Sequence, residues 1–209
     1  MKALIYKDLL TIWKNCRYYL LMCGVFLAAS VFVEEYSFLQ MYPVIFMGML
    51  VNTLIAYDER DKWDRQVLTM PITRKQYVTG KYLVGMILQG TVLVLTAGAN
   101  ALQMVLHEGF LWEAFRAEVG ILLVLASAAP SLTLPFIFRN GSEKGRMAYL
   151  IVIGTVFALA ALGAIILEKL NLMHKQVELP GGPLVVVLVV LLYLGSWVLS
   201  VRWYEKREF

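Results

Sequence analysis

Charge is missing from long parts of this 209-residue sequence. Six stretches of 16 to 25 residues contain no Asp, Glu, Lys or Arg, although the chain has 19 basic and 15 acidic residues. About 20 apolar residues cross a bilayer core of about 30 Å, and a charge at its centre costs roughly 2.5 to 3.5 kcal/mol. We therefore predict an all-α integral membrane protein with six spans, at 18–33, 38–57, 82–106, 119–138, 147–167 and 183–201.

Histidine and cysteine are also scarce, with 2 residues of each. Cys16 and Cys23 lie seven residues apart on one predicted helix, which is about 10.5 Å along the axis and too far for a disulfide. His107 beside Glu108 is the one candidate metal pair, but neighbouring residues of a helix do not converge on one ion. We predict an interfacial histidine there and no metal site.

The predicted spans contain no pair of groups that could carry catalysis and no ionisable residue that could hold a coupling ion. These absences disfavour an intramembrane enzyme and an ion-coupled transporter. A phosphate-binding loop of the form G-x-x-x-x-G-K-[ST] is also missing, because the segment 79–81 (Thr-Gly-Lys) has neither its leading glycine nor its final hydroxyl. We expect the chain to be no enzyme and to bind no ATP itself.

Most basic residues fall on one side of the predicted topology. With both termini in the cytoplasm, 16 Lys and Arg residues lie inside and only Arg116, Lys169 and Lys175 lie outside. Positive charge is retained on the cytoplasmic side, so we predict this orientation. We expect the membrane to be a bacterial cytoplasmic membrane. The formal net charge of +4 matches anionic lipid headgroups and does not indicate nucleic-acid binding.

The leader 1–17 has apolar residues at helical spacing. Ile5, Leu9, Ile12, Trp13 and Cys16 share one predicted face, which we expect to lie along the inner membrane surface. A disordered basic tail is one alternative, disfavoured by the apolar content. A cleaved signal peptide that includes the first span is another, disfavoured because the leader contains an acidic residue.

The segment 58–81 is the longest predicted cytoplasmic loop, while 168–182 is predicted to be extracellular. Asp58 with Lys62, and Asp61 with Arg65, are acid-before-base pairs four residues apart and predict a short solvated helix. A proline ends it at position 71, and a capping box at 73–76 (Thr-Arg-Lys-Gln) then starts the third span.

Uncharged polar residues mark the interior of spans two and three. Asn52, Thr96, Asn100 and Gln103 lie at membrane depth, and the last three share one face of their helix. Hydrogen bonding between helices is the favoured interpretation, and a path for substrate is the alternative.

Three segments carry a resemblance to a known family: Met1-Lys-Ala-Leu-Ile-Tyr-Lys-Asp-Leu, Tyr57-Asp-Glu-Arg-Asp-Lys-Trp-Asp and Leu68-Thr-Met-Pro-Ile-Thr-Arg-Lys-Gln-Tyr-Val-Thr-Gly-Lys-Tyr. Together they resemble the permease subunits of type-2 (ABCG-like) ABC exporters over essentially the whole chain. The likeness is greatest to small bacterial permeases that export amphipathic peptides such as phenol-soluble modulins, or that protect against antimicrobial peptides.

The resemblance implies a dimer of permeases, with itself or a sister chain, that carries two cytoplasmic ABC ATPase subunits. ATP and Mg would be bound by those subunits, and amphipathic peptides would be the substrate. The leader would act as a connecting helix and the loop after span two as a coupling helix. Its ATPase-contacting residues would be Asp58, Glu59, Arg60, Asp61, Lys62, Trp63 and Asp64.

Trp63 is the expected apolar anchor of that helix, with its ring standing out of a charged surface. A merely solvated charged loop is the alternative for this segment. For the whole chain, the alternative is a membrane-bound anchor or immunity protein without transport activity.

Overall fold

A computed structural model describes residues 2–33, 36–107, 109–169 and 182–206. Within these ranges the side chains of residues 36, 37, 64, 65, 68, 160, 161, 164–169, 182 and 183 are not described. The helices are α1 (Lys2–Asn15), α2 (Arg17–Phe32), α3 (Tyr36–Arg60), α4 (Trp63–Gln66), α5 (Arg74–His107), α6 (Trp112–Asn140), α7 (Ser142–Lys169) and α8 (Gly182–Glu205), with a 3₁₀ turn at Val67–Thr69. The described chain thus contains helices as its regular structure, as predicted.

The charge-free stretches correspond to separate helices, α2, α3, α5, α6, α7 and α8. Four ranges are long and apolar enough to cross a membrane, at Phe38–Arg60, Arg74–His107, Trp112–Asn140 and Leu184–Glu205. The helices α1 and α2 are bent by 74° relative to each other at a short break. Counted as one span, this pair raises the number of candidate spans to five. An integral helical membrane protein is therefore supported, and the number of six spans stays a prediction. Most of the predicted extracellular segment 168–182 lies outside the described residues.

The amphipathic leader forms a helix, but with a different buried face from the one predicted. Leu4, Asp8 and Ile12 are buried, one helical turn apart. Trp13 is 71% exposed, although it was expected on the same face as Ile12. Apolar periodicity locates hydrophobic residues but does not show which of them are buried against the protein, and α1 has both buried and exposed apolar residues.

The segment between α3 and α5 differs from the predicted solvated helix. Helix α3 continues to Arg60, and Lys62 then takes a left-handed backbone conformation (φ 55°) that separates it from the short α4. The predicted capping box is confirmed: the backbone N–H of Gln76 donates to the Thr73 hydroxyl at 3.2 Å, and the Thr73 N–H donates to the Gln76 side chain at 3.0 Å. Helix α5 begins at Arg74, the residue that follows Thr73.

The segments predicted to be cytoplasmic meet at one end of the helix bundle. The Glu59 carboxylate, near the end of α3, accepts a hydrogen bond from the Ser142 N–H at the start of α7 (2.8 Å). The Arg74 guanidinium, at the start of α5, donates to the backbone carbonyl of Glu205 at the end of α8 (2.7 Å). We call this end the inner end; its position on the cytoplasmic side stays a prediction.

Candidate functional site

Four charged side chains from three helices form a buried group at the inner end, which we call the inner ion cluster: Lys7 and Asp8 of α1, Asp58 of α3 and Lys81 of α5. The Lys81 Nζ lies 2.9 Å from the Asp8 Oδ2 and 2.6 Å from the Asp58 Oδ2. The Lys7 Nζ lies 2.7 Å from Asp58 and 3.0 Å from Asp8. Each cation therefore contacts both carboxylates, and the cluster has two charges of each sign.

Burial makes this balance of charge necessary. The side chains of Lys81, Asp8 and Asp58 are only 2%, 3% and 5% exposed, whereas that of Lys7 is 28% exposed. Taking a charge out of water costs several kcal/mol, and this cost is offset only where opposite charges and hydrogen bonds surround it. The Tyr77 hydroxyl supplies a further bond by donating to Asp58 at 3.0 Å. The cluster therefore fixes α1 against α3 and α5.

Close packing of α1 on α5 brings the charges together. Gly80 lies opposite Leu4, and a Cβ at Gly80 would be 3.9 Å from the Leu4 side chain. Asp8 follows Leu4 by one helical turn, and Lys81 follows Gly80 directly. Asp58 was expected to pair with Lys62, and that expectation is wrong, because Asp58 contacts Lys7 and Lys81. The position of Asp8 between Leu4 and Ile12 on one face indicated a buried carboxylate, but spacing within one helix could not identify its partners.

The predicted ATPase-contacting residues divide into an inward and an outward set. Asp58 belongs to the inner ion cluster, and Glu59 accepts the hydrogen bond from α7, so both carboxylates face the protein. Arg60, Asp61 and Lys62 are exposed, and Arg60 pairs with Asp61 at 3.1 Å. The Asp64 side chain lies outside the described residues. Contact of residues 58–64 with an ATPase stays a prediction.

Trp63 does not stand out of a charged surface as expected. Its ring is half-buried and packs against the hydrophobic core. The ammonium group of Lys7 lies 4.8 Å from the ring centroid, within the range of a cation–π interaction. Because Lys7 is also a member of the inner ion cluster, Trp63 connects α4 directly to that cluster.

The four uncharged polar residues, for which a substrate path was the alternative interpretation, lie inside the bundle. Asn52, Thr96, Asn100 and Gln103 are each at most 1% exposed. The Thr96 hydroxyl donates within its own helix, to the Val92 carbonyl at 2.9 Å. Asn52 and Gln103 have buried amide atoms that make no hydrogen bond in the described structure. Bonding between helices, the favoured interpretation, is confirmed for Asn100 alone among these four in the described part of the chain.

Asn100 joins three helices through its side-chain amide. The Asn100 Nδ2 donates to the Gln40 Oε1 of α3 at 3.4 Å and to the Glu118 Oε2 of α6. A cavity of about 130 Å³ adjoins this contact, between α3 and α6. Helix α6 begins at Trp112, so Glu118 lies within a helix that is a candidate span, one residue before the stretch predicted to cross the membrane.

No metal site is formed by the described His, Cys, Asp and Glu residues, since no three of them converge. Of the candidate pair, Glu108 lies outside the described residues. Cys16 and Cys23 are buried thiols that form no disulfide.

No curated protein matches the sequence significantly. The family model described as ABC-2 family transporter protein matches residues 3–205, from the first turn of α1 to the last residue of α8. Because this range covers nearly the whole chain, the protein belongs to the ABC-2 family of transporter proteins.

Proposed function

We propose that this chain is the permease subunit of an ATP-driven exporter that moves amphipathic peptides out of the cell. Membership of the ABC-2 family makes it a transmembrane subunit of an ABC transporter and implies an ABC ATPase partner. The chain itself binds and hydrolyses no ATP in this proposal, because it lacks a phosphate-binding loop. ATP and Mg are then bound by the partner.

The inner ion cluster is the observation that carries the proposal. It connects the exposed residues Arg60, Asp61 and Lys62 to α1 and α5 through Asp58, which lies in the last turn of α3 directly before them. Moving one charged side chain of this cluster away from the others would leave a buried charge uncompensated, which is costly. The helices that carry these side chains are therefore expected to move together. An ATPase that pushes on Lys62 would therefore move α3 together with α1 and α5.

The proposal includes two permease copies, six spans and both termini in the cytoplasm, in a bacterial cytoplasmic membrane. The distribution of Lys and Arg supports the orientation. Amphipathic peptide substrates are supported by the exposed aromatic, methionine and aliphatic side chains of the helices. Trp63 contributes to coupling from within, by holding α4 against Lys7, and the exposed residues before it form the contact with the ATPase.

Transport by the reconstituted complex tests this function. The permease and its ATPase are placed in vesicles with the ATPase outside, and fluorescent amphipathic peptide is added outside. We expect ATP-dependent accumulation of peptide in the lumen, which corresponds to export from a cell. Hydrolysis that responds to a small inorganic ion and is unaffected by amphipathic peptides would contradict the proposal.

A further inference from the structure

We propose that the bend between α1 and α2 binds an anionic phospholipid, with its headgroup on two basic side chains and part of an acyl chain in an adjoining apolar groove. We call the residues involved the elbow site: Lys14 and Arg17 for the headgroup, and Tyr18, Tyr19, Met22 and Phe46, which line the groove. The elbow site shares no residue with the inner ion cluster, and its lipid does not have to be a transported molecule.

The bend has the geometry of a chain that passes from the bilayer surface into the bilayer. Helix α1 ends at Asn15, α2 begins at Arg17, and the two helices are bent by 74°. Cys16 between them is 1% exposed, so the break is packed against the protein. On either side of it, Trp13 is 71% exposed and Tyr18 is 68% exposed. Because Trp and Tyr are enriched at the level of lipid headgroups, we expect the bend to lie at that level.

The chain around the bend carries positive charge and no negative charge. Lys14 and Arg17 are both exposed, and residues 9–33 contain no Asp or Glu. The preceding acidic residue, Asp8, is buried in the inner ion cluster. Three residues of chain span at most about 11 Å, so both cations can reach one headgroup. A headgroup with a net negative charge is attracted to them, whereas the ammonium group of a zwitterionic lipid would be repelled.

The apolar groove begins next to these cations. The Arg17 guanidinium lies 5.3 Å from the centroid of the Tyr18 ring, and Tyr18 lines the groove. The groove has a volume of about 150 Å³, and its wall joins α2 to α3, where the Tyr19 and Phe46 rings meet edge to face at 6.4 Å between centroids. A cavity of about 150 Å³ can hold a benzene ring, so a short length of acyl chain fits. Met22, one turn after Tyr18, is 47% exposed, so the groove follows α2 and is open at the outside of the bundle.

A phospholipid supplies both kinds of group in the order that the elbow site requires. Its anionic headgroup would lie beside Lys14 and Arg17, and its acyl chain would continue along the charge-free helix α2, from Tyr18 towards Met22. A free phosphate would use the cations and leave the groove empty. An uncharged lipid would fill the groove and leave the cations without a counter-charge.

Lipid binding to the purified permease tests the elbow site. Permease in detergent is titrated with dioleoyl phosphatidylglycerol, dioleoyl phosphatidylcholine or glycerol phosphate, and the bound molecules are counted by native mass spectrometry. We expect saturable binding of phosphatidylglycerol, about fivefold tighter than that of phosphatidylcholine, because its net charge is negative. Glycerol phosphate, which has the anionic group without the acyl chains, should bind much more weakly.

Variants of the basic residues separate a site from general attraction. Arg17→Gln should weaken phosphatidylglycerol binding about fivefold, whereas Arg17→Lys keeps the charge and should retain most of the affinity. The matched control Arg146→Gln removes an exposed arginine at the start of α7 and should change affinity less than about twofold. Equal losses in Arg17→Gln and Arg146→Gln, or no loss in Arg17→Gln, would overturn the proposal.

A further variant keeps both cations and fills the groove. Met22→Trp changes a half-exposed position and should weaken phosphatidylglycerol binding about fivefold, because the acyl chain loses its apolar contact. Unchanged binding in this variant would overturn the proposal, as would phosphatidylcholine or glycerol phosphate that binds the unmodified permease as tightly as phosphatidylglycerol. A permease dimer that binds no phosphatidylglycerol and is dissociated by Met22→Trp would assign the groove to a second copy instead.

The outcome is independent of transport, since the assay contains neither ATPase nor peptide. Lipid binding without peptide export would contradict the proposed function and leave the elbow site standing. Export by a permease that binds no phosphatidylglycerol would contradict the elbow site alone.

Discussion

Replacing Lys81 by methionine removes the central cation of the inner ion cluster while keeping nearly the same shape. The Lys81 Nζ contacts Asp8 and Asp58 at 2.9 and 2.6 Å, and the side chain is 2% exposed. Removing one partner of a buried ion pair typically costs about 3 to 5 kcal/mol. Because Lys7 still contacts both carboxylates, we expect a loss near the lower end, about 3 kcal/mol of unfolding free energy.

A second variant distinguishes charge imbalance from loss of packing. Asp8→Asn combined with Lys81→Met leaves one cation, Lys7, facing one carboxylate, Asp58. We therefore expect the double variant to recover about 2 kcal/mol relative to Lys81→Met alone, which lies within the range of coupling energies between contacting residues. A model in which Lys81 matters for packing predicts that the two losses add.

Unfolding in detergent micelles, titrated with dodecyl sulfate and followed by tryptophan fluorescence, measures both quantities. Lys144→Met is the matched control, because it removes an exposed lysine and should change the unfolding free energy by less than about 0.5 kcal/mol. A Lys81→Met variant as stable as this control would refute the reasoning, as would a double variant less stable than Lys81→Met.

Three further predictions concern other contacts. A methyl group at Gly48 would overlap the Tyr149 hydroxyl, so Gly48→Ala should lower the unfolding free energy by about 1 to 3 kcal/mol. The loss of unfolding free energy should be smaller when Tyr149→Phe is added. Gly24→Ala is the control, because no atom lies within 4 Å of a Cβ there, and it should show no such loss. Equal effects at both glycines would contradict the contact. Thr73→Ala removes the capping hydroxyl of α5 and should cost about 0.5 to 2 kcal/mol in the same titration, whereas an unchanged midpoint and slope would argue against the cap. Lys62→Glu should leave permease stability unchanged but reduce the ATPase retained during purification; full retention would remove this residue from the proposed contact.

The elements of the fold were predictable from patterns within the sequence. Charge-free stretches coincide with helices because the bilayer penalises charge and exposed backbone over a fixed thickness. The start of α5 was predictable because a capping box is a contact between residues three positions apart. Both signals are local, and both are confirmed in the structure.

The sites were less predictable because their contacts join distant parts of the chain. Asp58 follows Lys7 by 51 positions, and Lys81 follows Asp8 by 73, so spacing on one helix could not pair them. The contact of Glu118 with Asn100 was missed for a different reason. The predicted spans were delimited by charged residues, so Glu118 was taken as the boundary of the fourth span although α6 begins six residues earlier.

Purification of the permease from its native membrane in a mild detergent tests the central claim most directly. The measurement identifies the proteins that remain bound and records vanadate-sensitive ATP hydrolysis by the eluate. We predict a stoichiometric soluble subunit whose sequence contains a G-x-x-x-x-G-K-[ST] phosphate-binding loop, together with hydrolysis that is lost when its loop lysine is replaced. Folded permease that is recovered without such a subunit, and without ATP hydrolysis above background, would contradict the account.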